Sequence, residues 1–316
     1  MATEKDRLLQ QLTKYERMIG GAFMLFVSTV QSEEVFGQVA DLLELGDIEG
    51  ALAIVDQYVL RMAPVLARVF TEVGVVEATA LAAGMGAAGI GLAFNAGDTR
   101  AANLMRLNQL QFVTGFTEEQ RQATRQALVA AFEVGAGRVQ AASHFKDSIG
   151  LTAAQEQAVT TYRQQLEAGS TRALDRALRD RRFDRSVASA SANNAPLAPE
   201  QIDHMVQRYR ERQVQYRAQT IARTEALHVT SMARDEALRQ NIEAAEMEVQ
   251  RVKRIWNVTH DGRQRDIHNS MQGQAVGLDE RFTDGAGNQL RYPGDSAAPP
   301  ETTVNCRCVV TVAFDG

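Results

Sequence analysis

The chain has 316 residues, of which 45% are hydrophobic and 23% charged, with a net charge of -5. That length suits roughly two domains of about 150 residues, and the balance is ordinary for a globular protein and does not point to bulk nucleic-acid binding. Aromatics are only 6% and alanine is abundant, which favours helical bundles over β-sandwiches. Two cysteines and a charged, amphipathic opening without a secretory pattern predict a reducing compartment.

From Asp6 to about Phe183, apolar residues recur three and four apart, which predicts helices. Ala78–Phe94 is uncharged and just reaches the lower length limit of a spanning helix. Gly84 and Ala88, and Ala87 and Gly91, fall at the spacing that lets helices approach closely, while Glu77 and Asp98 flank the stretch without a positive-inside bias. A closely packed core segment is the simpler expectation and entry into a host membrane the alternative. Further on, Thr117 and Gln120 read as a capping box, Leu128, Ala131, Phe132 and Val134 as a stripe, and Gly135 and Gly137 as a stop. Thr152, Gln155 and Gly169 repeat the same logic.

Arg172, Arg176, Arg179, Arg181, Arg182 and Arg185 then crowd one stretch, relieved by Asp175, Asp180 and Asp184. The simpler reading is a solvated helix face laced with i,i+4 ion pairs, and the functional one a contact with DNA or a protein partner. The stretch 187–198 is small, polar and without period, so it reads as a linker between a helical N-terminal region, 1–186, and a C-terminal module, 199–316. The module opens on the longest helical stretch of the chain. Pro199 suits its first turn, Ile202, Tyr209 and Tyr216 repeat every seven residues, and a break is expected near Thr220 or Thr230. After it come the β-forming "VKRIWN", the turn pair Asp261-Gly262, the turn-rich "FTDGAGNQLRYPGD" and the β run "CVVTVAF". The expected fold class is mainly α: a helical N-terminal body, a long connecting helix and a small C-terminal α+β module. "GAGNQL" lacks the strand–helix context of a phosphate-binding loop and reads as a turn.

The only cysteines, Cys306 and Cys308, form one Cys-x-Cys pair. On a strand their Cα atoms would stand about 6.5–7 Å apart, at or beyond the reach of a mutual disulfide. His260 and His268 would complete a four-ligand zinc set, although the spacing is not that of the usual knuckle. No Cys-x-x-Cys redox motif is present. The simplest reading is two small buried hydrophobes, with no metal and no cofactor. His268 with Asp261 or Asp266 could act as a general acid–base pair, with Arg263 or Arg223 holding an anion. That set would suit an enzyme acting on nucleic acid or nucleotide. A buried polar network made by the same residues is the simpler reading.

Taken in order, Arg223-Thr224-Glu225, Trp256, Asp261, Arg263, His268, Gly273, Pro293-Gly294 and Asn305-Cys306-Arg307-Cys308 resemble the minor head proteins of tailed bacteriophages, called phage Mu F-like or head morphogenesis proteins. The resemblance covers roughly Tyr209 to Phe314 and treats those residues as a structural motif. It implies a virion protein, assembled in the host cytoplasm and held at the portal vertex or capsid interior. Such a protein binds rather than catalyses, in head assembly, DNA packaging or genome delivery. The partners implied are the portal or major capsid protein, with packaged DNA and a host membrane as further candidates.

Overall fold

The computed structural model describes residues 3–86, 93–133, 138–262 and 264–315. Within them the fold is mainly α with a small C-terminal α+β module, as the sequence pattern predicts. The helices α1 (Glu4–Val30), α2 (Glu33–Glu44), α3 (Ile48–Leu60), α4 (Ala63–Gly84), α5 (Thr99–Glu133), α6 (Arg138–Ser148), α7 (Ala153–Glu167), α8 (Asp184–Ala192) and α9 (Pro199–Ala244) come first. The module follows with β1 (Val252–Asn257), α10 (Asp266–Asn269), β2 (Ala275–Val276), β3 (Phe282–Thr283), β4 (Gln289–Leu290), α11 (Pro300–Thr303) and β5 (Val309–Phe314).

These elements form two compact units, neither of them contiguous in sequence. One comprises Met1–Ala22, Arg61–Phe112 and Thr220–Gly316, the other Phe23–Leu60 and Val113–Gln219. The boundaries therefore differ from a division at 187–198. The first half of that expected linker is helical: α8 runs to Ala192 and buries Val187. Its serines and alanines are tolerated in a helix, and Asp184 favours the first turn.

In the first unit, α4 and α9 pack with the start of α1 around Tyr15, Ile19, Leu66, Val69, Phe70, Val73, Val229, Met232 and Leu238. Small residues set the distances. Ala226, Ala233 and Ala237 of α9 are fully buried, and a Cβ at Gly20 would lie 3.3 Å from that of Ala222. Gly74 makes room for Phe94, whose ring a Cβ there would approach to 2.3 Å, and Phe94 meets Phe70 edge-on at 5.5 Å. Ala78, Leu81 and Ala82 are buried too, so both described ends of the Ala78–Phe94 stretch are packed. Residues 87–92, including Ala87, Ala88 and Gly91, lie outside the described residues. No described helix is long and apolar enough to cross a membrane.

The second unit centres on Phe23, Phe26 and Phe116, whose ring centroids lie 5.3–6.2 Å apart. The buried Arg217 guanidinium sits 4.7 Å from the centre of the Phe116 ring and donates to Glu119 at 2.9 Å. The capping box of Thr152 and Gln155 is present at the start of α7, and the chain turns off at Gly169 with φ +60. The box expected at Thr117 and Gln120 is not: α5 passes through both without a break. Buried Gln120 instead donates to the Ser148 carbonyl and accepts from Gly150 N–H, tying α5 to the turn before α7. Leu128 and Ala131 are buried as expected, whereas the Phe132 side chain, Val134, Gly135 and Gly137 lie outside the described residues.

Helix α9 is unbroken for 46 residues, through both Thr220 and Thr230. Thr230 satisfies its hydroxyl on the Ala226 carbonyl at 2.7 Å, so it need not interrupt the ladder. Ile202 and Tyr209 are buried, but Tyr216 is 50% exposed and leaves the heptad stripe. A straight α-helix drifts away from a seven-residue repeat, which moves the third position off the buried face.

The module is a three-stranded antiparallel sheet in the order β2-β1-β5, with a β3–β4 hairpin beside it. β1 alternates strictly, with Val252, Arg254 and Trp256 buried. Trp256 is fully buried and meets Phe282 at 5.0 Å, in a core that also holds Met271, Leu290, Val309 and both cysteines. Leu8 and Leu12 of α1 and Leu227 of α9 close that core.

Candidate functional site in the C-terminal module

The motif residues of α9 and of the chain end meet at Asn305. This residue adopts a left-handed conformation, φ 59, which asparagine tolerates better than most side chains. Its backbone N–H donates to the Thr224 hydroxyl at 3.1 Å, and its side-chain carbonyl accepts from Arg223 at 3.1 Å. Arg223 also faces Glu16 of α1 at 3.8 Å. Arginine and threonine on one helix thus grip a single turn 82 and 81 residues further on. Glu225 is half-buried, and burial pushes its carboxyl up to about 7.

Beyond Asn305 the chain presents both thiols to one histidine. Cys306 and Cys308 are free, buried and placed just ahead of β5 rather than on it. The His268 Nδ1 lies 3.7 Å from Cys306 Sγ and 3.6 Å from Cys308 Sγ. His268 is buried, stacks edge-on against Trp256 at 5.9 Å, and its Nε2 has no hydrogen-bond partner. A hydrogen bond between the thiols raises Cys306 well above the ordinary thiol range and lowers Cys308 to about 5, and His268 also favours the Cys308 thiolate.

The surrounding loops are tied together by groups other than these three. The Thr259 hydroxyl donates to the Arg307 carbonyl at 2.6 Å, Arg307 donates to Asp261 at 2.6 Å, and Arg265 donates to the Val304 carbonyl. Asp261 is therefore an Arg307 partner, while His268 Nδ1 faces sulfur, and Asp266 is exposed at the start of α10. Arg263 lies outside the described residues. His260 is exposed and does not join the buried group formed by His268, Cys306 and Cys308.

Two further motif positions shape the module. Gly273 turns with φ +76, and its N–H donates to the Trp256 carbonyl at 2.8 Å. Gly294, after Pro293, has φ +81, and a Cβ there would stand 3.1 Å from the His228 backbone nitrogen, so the turn requires glycine. Its carbonyl accepts from His228 Nδ1 at 2.5 Å, and burial pushes the His228 imidazole below its ordinary range.

Sequence reasoning missed Arg254, a buried and much-bonded residue of the module. It is 3% exposed, yet donates to the carbonyls of Gly277, Arg291 and Glu280 and to Asp235. Burial lowers its pKa, opposed by Asp235. The signal was available, because Arg254 alternates with Val252 and Trp256 on the inward face of β1.

The arginine-rich stretch is not one helix. Short 3-10 turns span Thr171–Asp175 and Arg181–Phe183, and α8 starts at Asp184. Arg179 pairs with Asp184 through two contacts of 2.9 Å, Arg182 with Asp180 at 2.6 Å, and Arg176 with Gln165 at 3.0 Å. Arg182 and its neighbours hold the buried Asp180 carboxyl well below the usual carboxylate range. The side chains of Arg172, Arg181 and Arg185 are exposed and have no partner among the described residues.

Fold and site together define a helical protein closed by a small α+β module, in which an Arg-Thr pair on the long helix is hydrogen-bonded to a Cys-x-Cys turn. Residues 197–311 match the family described as Phage Mu protein F like protein, a likeness confined to that segment of the chain. Residues 1–196 lie outside the match. No curated protein and no solved structure matches the chain.

Proposed function

We propose that this chain is a minor head protein of a tailed phage, a virion component that acts in head morphogenesis by binding. The match over residues 197–311 carries this reading, because it falls on the segment in which Arg223, Thr224 and Asn305 hold the motif together. The portal or the major capsid protein is the expected partner at the portal vertex or capsid interior. Work in packaging or genome delivery would follow from that position. Arg172, Arg181 and Arg185, exposed and unpaired among the described residues, are the contacts proposed for DNA or for the partner. Mass spectrometry of purified virions, procapsids and empty heads tests the assignment. The chain is expected at low copy in at least one of these particles, and its absence from all of them overturns the reading.

A further inference from the structure

His268, Cys306 and Cys308 have the arrangement of a metal-binding half-cage. Their three ligand atoms all lie within 4.8 Å of one another, and all three residues are at most 3% exposed. Tetrahedral zinc with Zn–S of about 2.3 Å and Zn–N of about 2.05 Å places sulfur and nitrogen roughly 3.5 Å apart along a tetrahedral edge. The observed Nδ1–Sγ distances are 3.6 and 3.7 Å. Direct contact of a neutral imidazole with two apolar neighbours would require no such convergence. In the tautomer that carries the ring proton on Nε2, Nδ1 offers its lone pair within 3.7 Å of both sulfurs.

The backbone supports the geometry without help from the ligands. The left-handed turn at Asn305 precedes the pair, and Cys308 N–H donates to Cys306 Sγ at 3.4 Å, a bond that favours a thiolate. The ties from Thr259, Arg265 and Arg307 fix the two loops on either side. A cavity of about 10 Å³ adjoins the cluster, room for one small occupant. Gln264 lines it, and its Oε1 is buried with no hydrogen-bond partner. The objection from Cys-x-Cys spacing loses its force here, because the pair lies in the link between the Asn305 turn and β5 and the third ligand comes from α10.

We propose that His268 Nδ1, Cys306 Sγ and Cys308 Sγ bind one zinc ion, with the Gln264 carbonyl oxygen as the donor available for the fourth position. Zinc takes the place of the thiol protons, so each thiol releases one proton to solvent as the ion binds, and the imidazole remains neutral. Two thiolates, an imidazole and an amide oxygen leave the site with no net charge, which suits its burial. The bound ion joins α10 to the turn that leads into β5 and so fastens the module's last strand.

The test uses the full chain, produced with zinc supplied and then dialysed into metal-free buffer. Elemental analysis is expected to find about one zinc per chain, and replacement by Co²⁺ to give thiolate-to-cobalt charge-transfer absorption. In the native protein both thiols should resist a thiol reagent until a chelator removes the metal, a measurement that needs no substitution. The double variant Cys306→Ser, Cys308→Ser should lose the zinc, and Gln264→Ala should weaken binding by roughly 10-fold or more. His260→Ala should keep the full equivalent. Zinc below about 0.1 per chain, with thiol reactivity unchanged by added zinc, overturns the proposal. Zinc retained by the double cysteine variant overturns it as well. Neither result touches the head-protein assignment, which particle composition decides.

Discussion

The C-terminal module and the stretch Arg172–Arg185 are both rich in arginine, but they use it in opposite directions. In the module, Arg254 is buried and meets three carbonyls and a carboxylate, and Arg223 is turned onto Asn305. In the stretch, Arg176, Arg179 and Arg182 are held locally, while Arg172, Arg181 and Arg185 extend into solvent. Acceptors converge on a guanidinium that serves the fold. A guanidinium that the fold leaves without acceptors is free to serve a partner.

The contrast can be broken most severely at Arg254. Arg254→Ala leaves Asp235 and several carbonyls short of a donor inside the module and should cost about 3–5 kcal/mol in chemical denaturation. A loss below about 1 kcal/mol would show that the inward contacts are dispensable. Glu225 offers a change of the opposite sign. Burial pushes its carboxyl up to about 7, above the ordinary glutamate range, so its contribution is present at low pH and is lost as pH rises through that window. Glu225→Gln should therefore flatten the pH profile and stabilise the protein by roughly 1–3 kcal/mol at pH 8. Equal stabilities of the variant and the parent at pH 5 and pH 8 would rule out a buried carboxyl there. Gly294→Ala forces a side chain into a left-handed turn against the His228 backbone and should cost about 1–2 kcal/mol, read as a lower melting temperature.

Replacing Arg172, Arg181 and Arg185 together by alanine should barely change stability, by less than about 0.5 kcal/mol for each site. The same triple variant should weaken any DNA binding and reduce the log–log salt slope by about 2–3. If stability falls steeply instead, these side chains belong to the fold and the contrast with the module disappears.

Legibility in the sequence followed how local each cause was. The Thr152–Gln155 box is a contact between near neighbours and could be read directly. Thr117 and Gln120 show the same spelling, but Gln120 is used by Ser148 and Gly150, partners 28 and 30 residues away. The Asn305 junction was implied only by motif order, because periodicity does not relate residue 305 to residue 224. The cysteine pair was visible, and its histidine partner was named, but only together with a second histidine. His260 and His268 are equally plausible on the line of sequence, and only the turn of α10 brings one of them to the sulfurs. Arg254 stood within the β-forming "VKRIWN", where its alternation with Val252 and Trp256 was legible but its distant carbonyl and carboxylate partners were not.

The pairing of β1 with β5 also sets an order of events during synthesis. Val252 faces Phe314 and Asn257 faces Val309, so the central strand emerges some fifty to sixty residues before its main partner. Chains are made at about 5–20 residues per second, which leaves β1 waiting for seconds with its neighbour unmade. During that interval Trp256 has no completed core, and α9 has no Asn305 to grip. A ribosome stall or a cut anywhere in the intervening stretch would therefore leave the helical elements formed and the module open, exposing its apolar face.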